Sequence, residues 1–332
     1  MAAEAEVLGS APPVRRAALS WPPQPAPRRP RRARQLGAGA LGLTLLGLGA
    51  FAVARLRPRP VAAAAKPHHL RAARRLAGGA AILSTSVLLD SATEHYRGGY
   101  INPGMYVAPA VGAASLANSL AMLAEPDRPG PARSGICGFA VFAGIAGTGF
   151  HLYNLAKREG GVGLLNLFYG APLGAPVAVA LAGLAGLAAE RLVVESGEEA
   201  TLLGRAAGPV LALGTAGGLL GTVAEAALLH FRGAFHDPFM FLPVTVPPLA
   251  ALALIAAAFR PELSGFARRL VIATAGLGVI GVAFHVHGVQ RNMGGFANWS
   301  QNVLQGPPIP TPPAFTGLAL AGLAALSLLE PA

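Results

Sequence analysis

Charge is scarce in this chain. Lys, Arg, Asp and Glu make up 12% of its 332 residues, where a soluble globular domain carries roughly 25%, so an ordinary water-facing surface is excluded. Cysteine is almost missing: Cys137 stands alone, which removes a disulfide framework and any Cys-rich zinc or iron–sulfur site. Lysine is nearly absent too, with two against 24 arginines. There is no G-x-x-x-x-G-K-[ST] phosphate loop, no H-E-x-x-H zinc helix and no G-x-S-x-G nucleophile elbow. Clusters of the H-x-x-x-H type that mark di-iron membrane oxygenases are also missing. The formal charge of +11 is not a nucleic-acid signal once it is located. Residues 1–75 hold 14 of the 26 cations and two of the 15 acids, leaving the other 257 residues near neutrality. No basic face remains for DNA or RNA in the body of the protein.

What is abundant is apolar sequence. After a Pro- and Arg-rich arm over 1–35, whose composition cannot offset its ordering entropy, residues 36–55 form a charge-free run long enough to cross a hydrocarbon layer of about 30 Å. A cleaved signal sequence is the alternative for this run, but Arg55, Arg57 and Arg59 would then crowd the start of the mature chain. A basic loop is expected over 56–75, where His68 and His69 would be solvated or lipid-facing. Eight further apolar stretches follow, near 76–96, 103–124, 135–157, 166–190, 207–231, 238–259, 268–290 and 312–329. They are too long and too uniformly apolar for barrel strands. The expected class is all-α, a polytopic integral membrane protein.

The chain also repeats itself. His95-Tyr-Arg-Gly-Gly-Tyr-Ile-Asn-Pro-Gly-Met-Tyr106 aligns without a gap on His230-Phe-Arg-Gly-Ala-Phe-His-Asp-Pro-Phe-Met-Phe241, and the same register places Asp90 on Glu225. A second block matches His151 with His285, Lys157 with Arg291 and Gly160-Gly161 with Gly294-Gly295. Beyond a two-residue insertion, Asn166, Gly170, Pro172 and Pro176 match Asn302, Gly306, Pro308 and Pro312. Two ordered blocks at one spacing indicate a tandem duplication. The expected organisation is a first four-helix repeat over 76–195, a linker over 196–206 and a second repeat over 207–332, preceded by the helix of 36–55. Four helices per half is an even number, so the halves should be related by a pseudo-twofold axis along the membrane normal. His95, His151, His230 and His285 then lie toward one membrane face.

Part of the first block is explained by a tight helical hairpin. Gly98 and Gly233 are placed to end a helix in the left-handed conformation, with Arg97 and Arg232 in the last turn. Asn102-Pro103 and Asp237-Pro238 supply an N-cap followed by proline. That reading demands neither the histidines nor Asp90 and Glu225. Asp90, Glu94 and Arg97 share one helical face, and Glu225 with Arg232 repeats the outer pair, so an ion pair near the interface is the simple expectation there. Asp90 and His95 lie too far apart around the helix to bind one ion together. Ionisable groups at membrane depth usually face a bundle interior or an aqueous cavity, and His151 and His285 have no capping role to explain them. The loops 157–172 and 288–312, with Asn166, Tyr169, Trp299 and Asn302, would roof the histidines or form an interfacial belt. Cys137 reads as packing.

These residues suit a redox membrane subunit in which His95 with His151, and His230 with His285, hold haem b or another metal. In architecture alone this layout is similar to haem A synthase and related di-haem duplications of four helices; the hairpin block differs from that family. Two other readings stay open: a transporter or channel with Asp90, Glu225 and the histidines lining the path, and a non-catalytic membrane anchor for a peripheral enzyme. The partners expected are the lipid bilayer and a redox or peripheral enzyme, with no nucleic acid. Loops on the side of residues 55–75 carry most of the cations, which favours histidines outside the cytoplasm, while the arm with its seven arginines favours the opposite orientation if the helix of 36–55 is retained. Arginine dominance in an Ala-, Gly- and Pro-rich chain points to a GC-rich bacterium and its plasma membrane.

Overall fold

The computed structural model describes residues 66–195, 197 and 199–330; the expected arm and the apolar segment 36–55 fall outside them. Helix α1 spans Pro67–Arg97. A 3-10 turn, Pro103–Tyr106, leads into α2, Val107–Ala124, followed by α3, Pro131–Ala156, the short α4, Leu164–Tyr169, and α5, Gly174–Val194. Strands β1, Thr201–Leu202, and β2, Arg205–Ala206, form a small antiparallel hairpin before α6, Ala207–Arg232. A 3-10 stretch, Pro238–Val244, then precedes α7, Val246–Phe259. After a 3-10 turn, Pro261–Leu263, comes α8, Ser264–Arg291. Gly295–Ala297 and a π turn, Trp299–Val303, build the last loop before α9, Pro313–Leu329. Among the described residues, seven helices are long and apolar enough to cross a membrane when their leading 3-10 turns are included, and α9 is a shorter apolar helix of 17 residues. The protein is all-helical apart from one small hairpin, and its helices suit a multi-pass membrane protein.

Two boundaries differ from the expected ones. The loop expected over 56–75 is helical from Pro67, because that proline occupies the first turn, where its missing N–H costs nothing. Ala72, Ala73 and Leu76 then enter the core while Arg71 and Arg74 point outward. Arg75 donates from Nη1 to the carbonyl of Leu323 at 3.0 Å. The charges occupy the outer side of a buried helix, which an average over consecutive residues reads as a polar loop. His69 follows the same correction: it is buried, with Nδ1 3.4 Å from the carbonyl oxygen of Glu195. The stretch expected over 166–190 is split. Leu164–Tyr169 forms its own turn, and the long helix starts at Gly174, beyond Pro172.

The helices pack in the same order in each half. Helix α1 lies against α2 and α5, and α3 closes the ring by packing on both; α6 lies against α7 and α9, and α8 closes that ring. Histidine-bearing helices α1 and α3 are therefore diagonal across one bundle, as α6 and α8 are across the other. The halves join mainly through α1 and α9. A Cβ on Gly79 would stand 2.5 Å from the Gly317 carbonyl oxygen, and one on Gly317 would stand 2.9 Å from that of Gly79. Only glycine permits this backbone approach, the usual means of close helix association in lipid. Apolar cores fill both sides of the seam, with Leu76, Leu187 and Leu192 in one cluster and Leu219, Leu254 and Val271 in another.

Candidate functional site: paired histidines at the ends of two bundles

His95 occupies the last turn of α1 and His230 the last turn of α6. The hairpins that follow bend as a pair, with one correction to the expected turn. Gly98 and Gly233 are not left-handed, having φ of −77° and −79°; the positive φ values fall at Gly99 and Tyr100, and at Ala234 and Phe235. A Cβ at 98 or 233 would lie 2.8 Å from the Cε of Met105 or Met240, a contact that the flexible end of the methionine can relieve. The expected caps form: the side chain of Asn102 accepts from the Gly104 N–H at 2.8 Å and that of Asp237 from the Phe239 N–H at 2.9 Å. The left-handed backbone at Tyr100 and Phe235 directs their rings onto the histidines, edge to face with centroids 6.1 Å apart in both halves. Tyr106 and Phe241 stack on them at 4.4 and 4.6 Å.

Each of the four histidines makes one kind of bond. The Nδ1 of His151 lies 2.6 Å from the carbonyl oxygen of Pro172, and that of His285 lies 2.7 Å from the carbonyl oxygen of Pro308. The Nδ1 of His230 is 2.9 Å from the Met240 carbonyl oxygen, and His95 uses the equivalent carbonyl of Met105. A carbonyl oxygen only accepts, so Nδ1 carries the hydrogen and a neutral ring keeps its lone pair on Nε2. Among the described residues these four Nε2 atoms have no hydrogen-bond partner, and all four rings are half-buried.

Prolines remove one helical competitor for each of these carbonyls. In an α-helix the oxygen of residue i accepts from the N–H of residue i+4, and in a 3-10 helix from i+3. Pro109 stands four residues after Met105, Pro176 four after Pro172 and Pro312 four after Pro308. Pro243 stands three after Met240, inside a 3-10 helix. Proline has no N–H, so none of these four prolines competes for the oxygen, although the Pro308 carbonyl is shared with Thr311, whose Oγ1 and N–H donate to it at 2.9 and 3.3 Å. Neither these prolines nor the two methionine carbonyls were identified as site residues from the sequence. The signal was present as the proline spacing, but it gains meaning only once a histidine is known to face the freed oxygen.

The histidines also meet in pairs. His151 lies within coulombic reach of His95, and His285 within reach of His230, each pair spanning the diagonal of its bundle. The roof loops are braced from inside by the expected asparagines. Asn166 donates from Nδ2 to the carbonyls of Glu159 and Gly161 at 2.8 and 2.7 Å, and Asn302 to those of Met293 and Gly295 at 3.0 and 2.8 Å. Both amides are spent on the loop, so they shape the roof and are not ligands.

The acids behave differently in the two halves. Glu225 accepts from the backbone N–H of Gly174, capping α5 across the seam. Asp90 has no hydrogen bond or ion pair among the described residues, and lies within charge range of Glu94, Glu225 and Arg97. The expected Asp90–Arg97 pair is not formed: Arg97 holds Glu94 at 2.5 Å. Its counterpart Arg232 lies over the ring of Phe168, 5.1 Å from the centroid. Only the second half carries His236, whose Nε2 faces Arg291 Nη2 at 3.3 Å. Cys137 is buried and takes a hydrogen bond from Asn118 at 3.2 Å. Among the described residues no three or more His, Cys, Asp or Glu side chains converge to hold a metal ion. Comparison of the chain with family models, with curated proteins and with solved structures finds no match to any of them.

Proposed function

We propose that the protein is a redox subunit of the membrane whose two halves each hold one haem b between diagonal histidines, His95 with His151 and His230 with His285. One observation carries this reading. All four rings are bonded through Nδ1–H to a backbone carbonyl one helical turn before a proline, each leaves Nε2 available, and within each bundle the two histidines lie within charge range of one another. A backbone carbonyl on the other ring nitrogen is the partner that fixes tautomer and orientation in metal-binding histidines. The donor count selects among metals. Two imidazoles fall short of the three or four protein ligands zinc requires, whereas the porphyrin itself supplies the remaining donors to a haem iron. Bound there, haem would supply one-electron chemistry.

The repeated bonds support descent of the halves from one duplicated four-helix unit with parallel topology. With both pairs at the same end, electrons would enter and leave on one face. That suits a peripheral redox enzyme docked over the roof loops, outside the cytoplasm, in a bacterial plasma membrane. The transport reading draws on one fact, the approach of Asp90 to Glu225 at the seam; it leaves the common bonding of four histidines without a purpose.

Detergent-purified full-length protein tests the assignment. A Soret band is expected that falls to half its haem content in His151→Ala and in His285→Ala, and vanishes in the double variant. A colourless protein that stays colourless after haem addition, or variants with unchanged haem content, would overturn it.

A further inference from the structure

The two halves differ at one matched contact. In the second half, the acid Glu225 is bonded to the N–H of Gly174 at the start of α5. The register that matches Pro172 with Pro308 matches Gly174 with Pro310, at the approach to α9. Helix α1 does come against this point, since Ser86, one turn before Asp90, donates its hydroxyl to the carbonyl of Pro310 at 2.5 Å. Pro310 has no N–H to offer. Asp90 follows one turn later on α1, and the segment it approaches offers no N–H at the position matched to Gly174. Among the described residues its carboxyl has no hydrogen bond, and it lies within charge range of Glu225 on α6.

We infer that Asp90 is the proton-accepting group coupled to reduction of the first-half site, and that the second half has no such group because Glu225 is bound to backbone. This rests on the haem reading above. His95 and His151 would hold the haem, which would supply one-electron chemistry with an external one-electron donor, and the Asp90 carboxylate would take up one proton from the aqueous face for each electron accepted. The added negative charge is cancelled on one residue without motion of a helix. An unbonded carboxylate in a low-dielectric seam responds strongly to a charge appearing nearby, whereas Glu225 accepts an N–H through a bond that taking up a proton would weaken. The charged groups within range of Asp90 are Glu94 and Arg97 on its own helix and Glu225 on α6. Glu94 and Arg97 neutralise each other as an ion pair, which leaves Asp90 to respond.

The test is a redox titration of the full chain against pH with chemical mediators as electron donors, read in the visible haem bands. His285→Ala isolates the first-half site and His151→Ala the second. The first-half midpoint potential is expected to fall as pH rises, to become pH-independent with Asp90→Asn, and to keep its dependence with Asp90→Glu. Pro310→Gly, which supplies the missing N–H, should weaken the dependence while leaving Asp90 in place. A first-half potential that ignores pH in the unaltered chain, or that keeps its slope in Asp90→Asn with haem content unchanged, would overturn the inference. Absence of haem in the unaltered chain would instead overturn the reading beneath it, so the two failures are distinguishable.

Discussion

A proline leaves the carbonyl one helical turn earlier without its usual N–H, and in this protein a histidine bonds such a carbonyl at four places, sharing it with Thr311 at Pro308. The bond is an ordinary neutral one, worth about 0.5–1.5 kcal/mol net, but its geometric effect is larger, because it fixes which nitrogen is free. Restoring the N–H should therefore loosen one site without unfolding the helix. Pro176→Ala is expected to weaken haem retention at the first-half site by on the order of fivefold, corresponding to about 1 kcal/mol, and to leave the second-half site unchanged. Haem titration in the His285→Ala background measures this, and equal retention with and without Pro176 would count against the bond. The histidines and the repeated prolines were visible in the sequence; their connection was not. A hydrogen bond between residues 21 or 23 positions apart leaves no local trace. The left-handed turn falls past the expected Gly98, at Gly99 and Tyr100, because a glycine near a helix end does not by itself mark which residue takes the positive φ.

At the scale of elements, all eight apolar stretches after residue 75 correspond to helices, because uniform hydrophobicity over about 20 residues has few other structural outcomes in a chain this poor in charge. The ends moved where tertiary contact outweighs composition. Helix α1 extends back to Pro67 because its arginines reach outward or onto the Leu323 carbonyl while its alanines are buried. Glycine content signalled close packing, but it does not say which glycines touch. Gly79 meets Gly317, whereas Gly214 on α6 has no atom within 4 Å of where its Cβ would be. Gly79→Val should therefore cost on the order of 1–3 kcal/mol by overpacking, read as a lowered thermal midpoint, and Gly214→Val should stay within about 0.5 kcal/mol of the parent. Equal losses at both positions would show that the α1–α9 seam is not the close contact described.

At the scale of the whole molecule, the proposed parallel halves put both histidine pairs at one membrane face, and the cations of the loops favour the side outside the cytoplasm. Met293, 90% exposed in the roof loop, reports it directly. A membrane-impermeant thiol reagent should label Met293→Cys in intact cells, against the buried Cys137 as background; labelling only after lysis would invert the orientation. What the sequence did not carry is the pairing of sites across bundle diagonals and the difference between the two acids, where Glu225 accepts from the N–H of Gly174 and Asp90 has no hydrogen bond among the described residues. Both depend on which helices become neighbours, and helices of similar composition do not encode that in any local pattern.

The haem-to-protein ratio of the purified chain, obtained from the pyridine haemochrome together with the low-spin absorption spectrum, decides the matter most directly. Two haems per chain with the spectrum of bis-imidazole iron are expected. A ratio of zero after growth and purification with haem supplied, or a high-spin spectrum with a single imidazole ligand, would contradict the paired-histidine site.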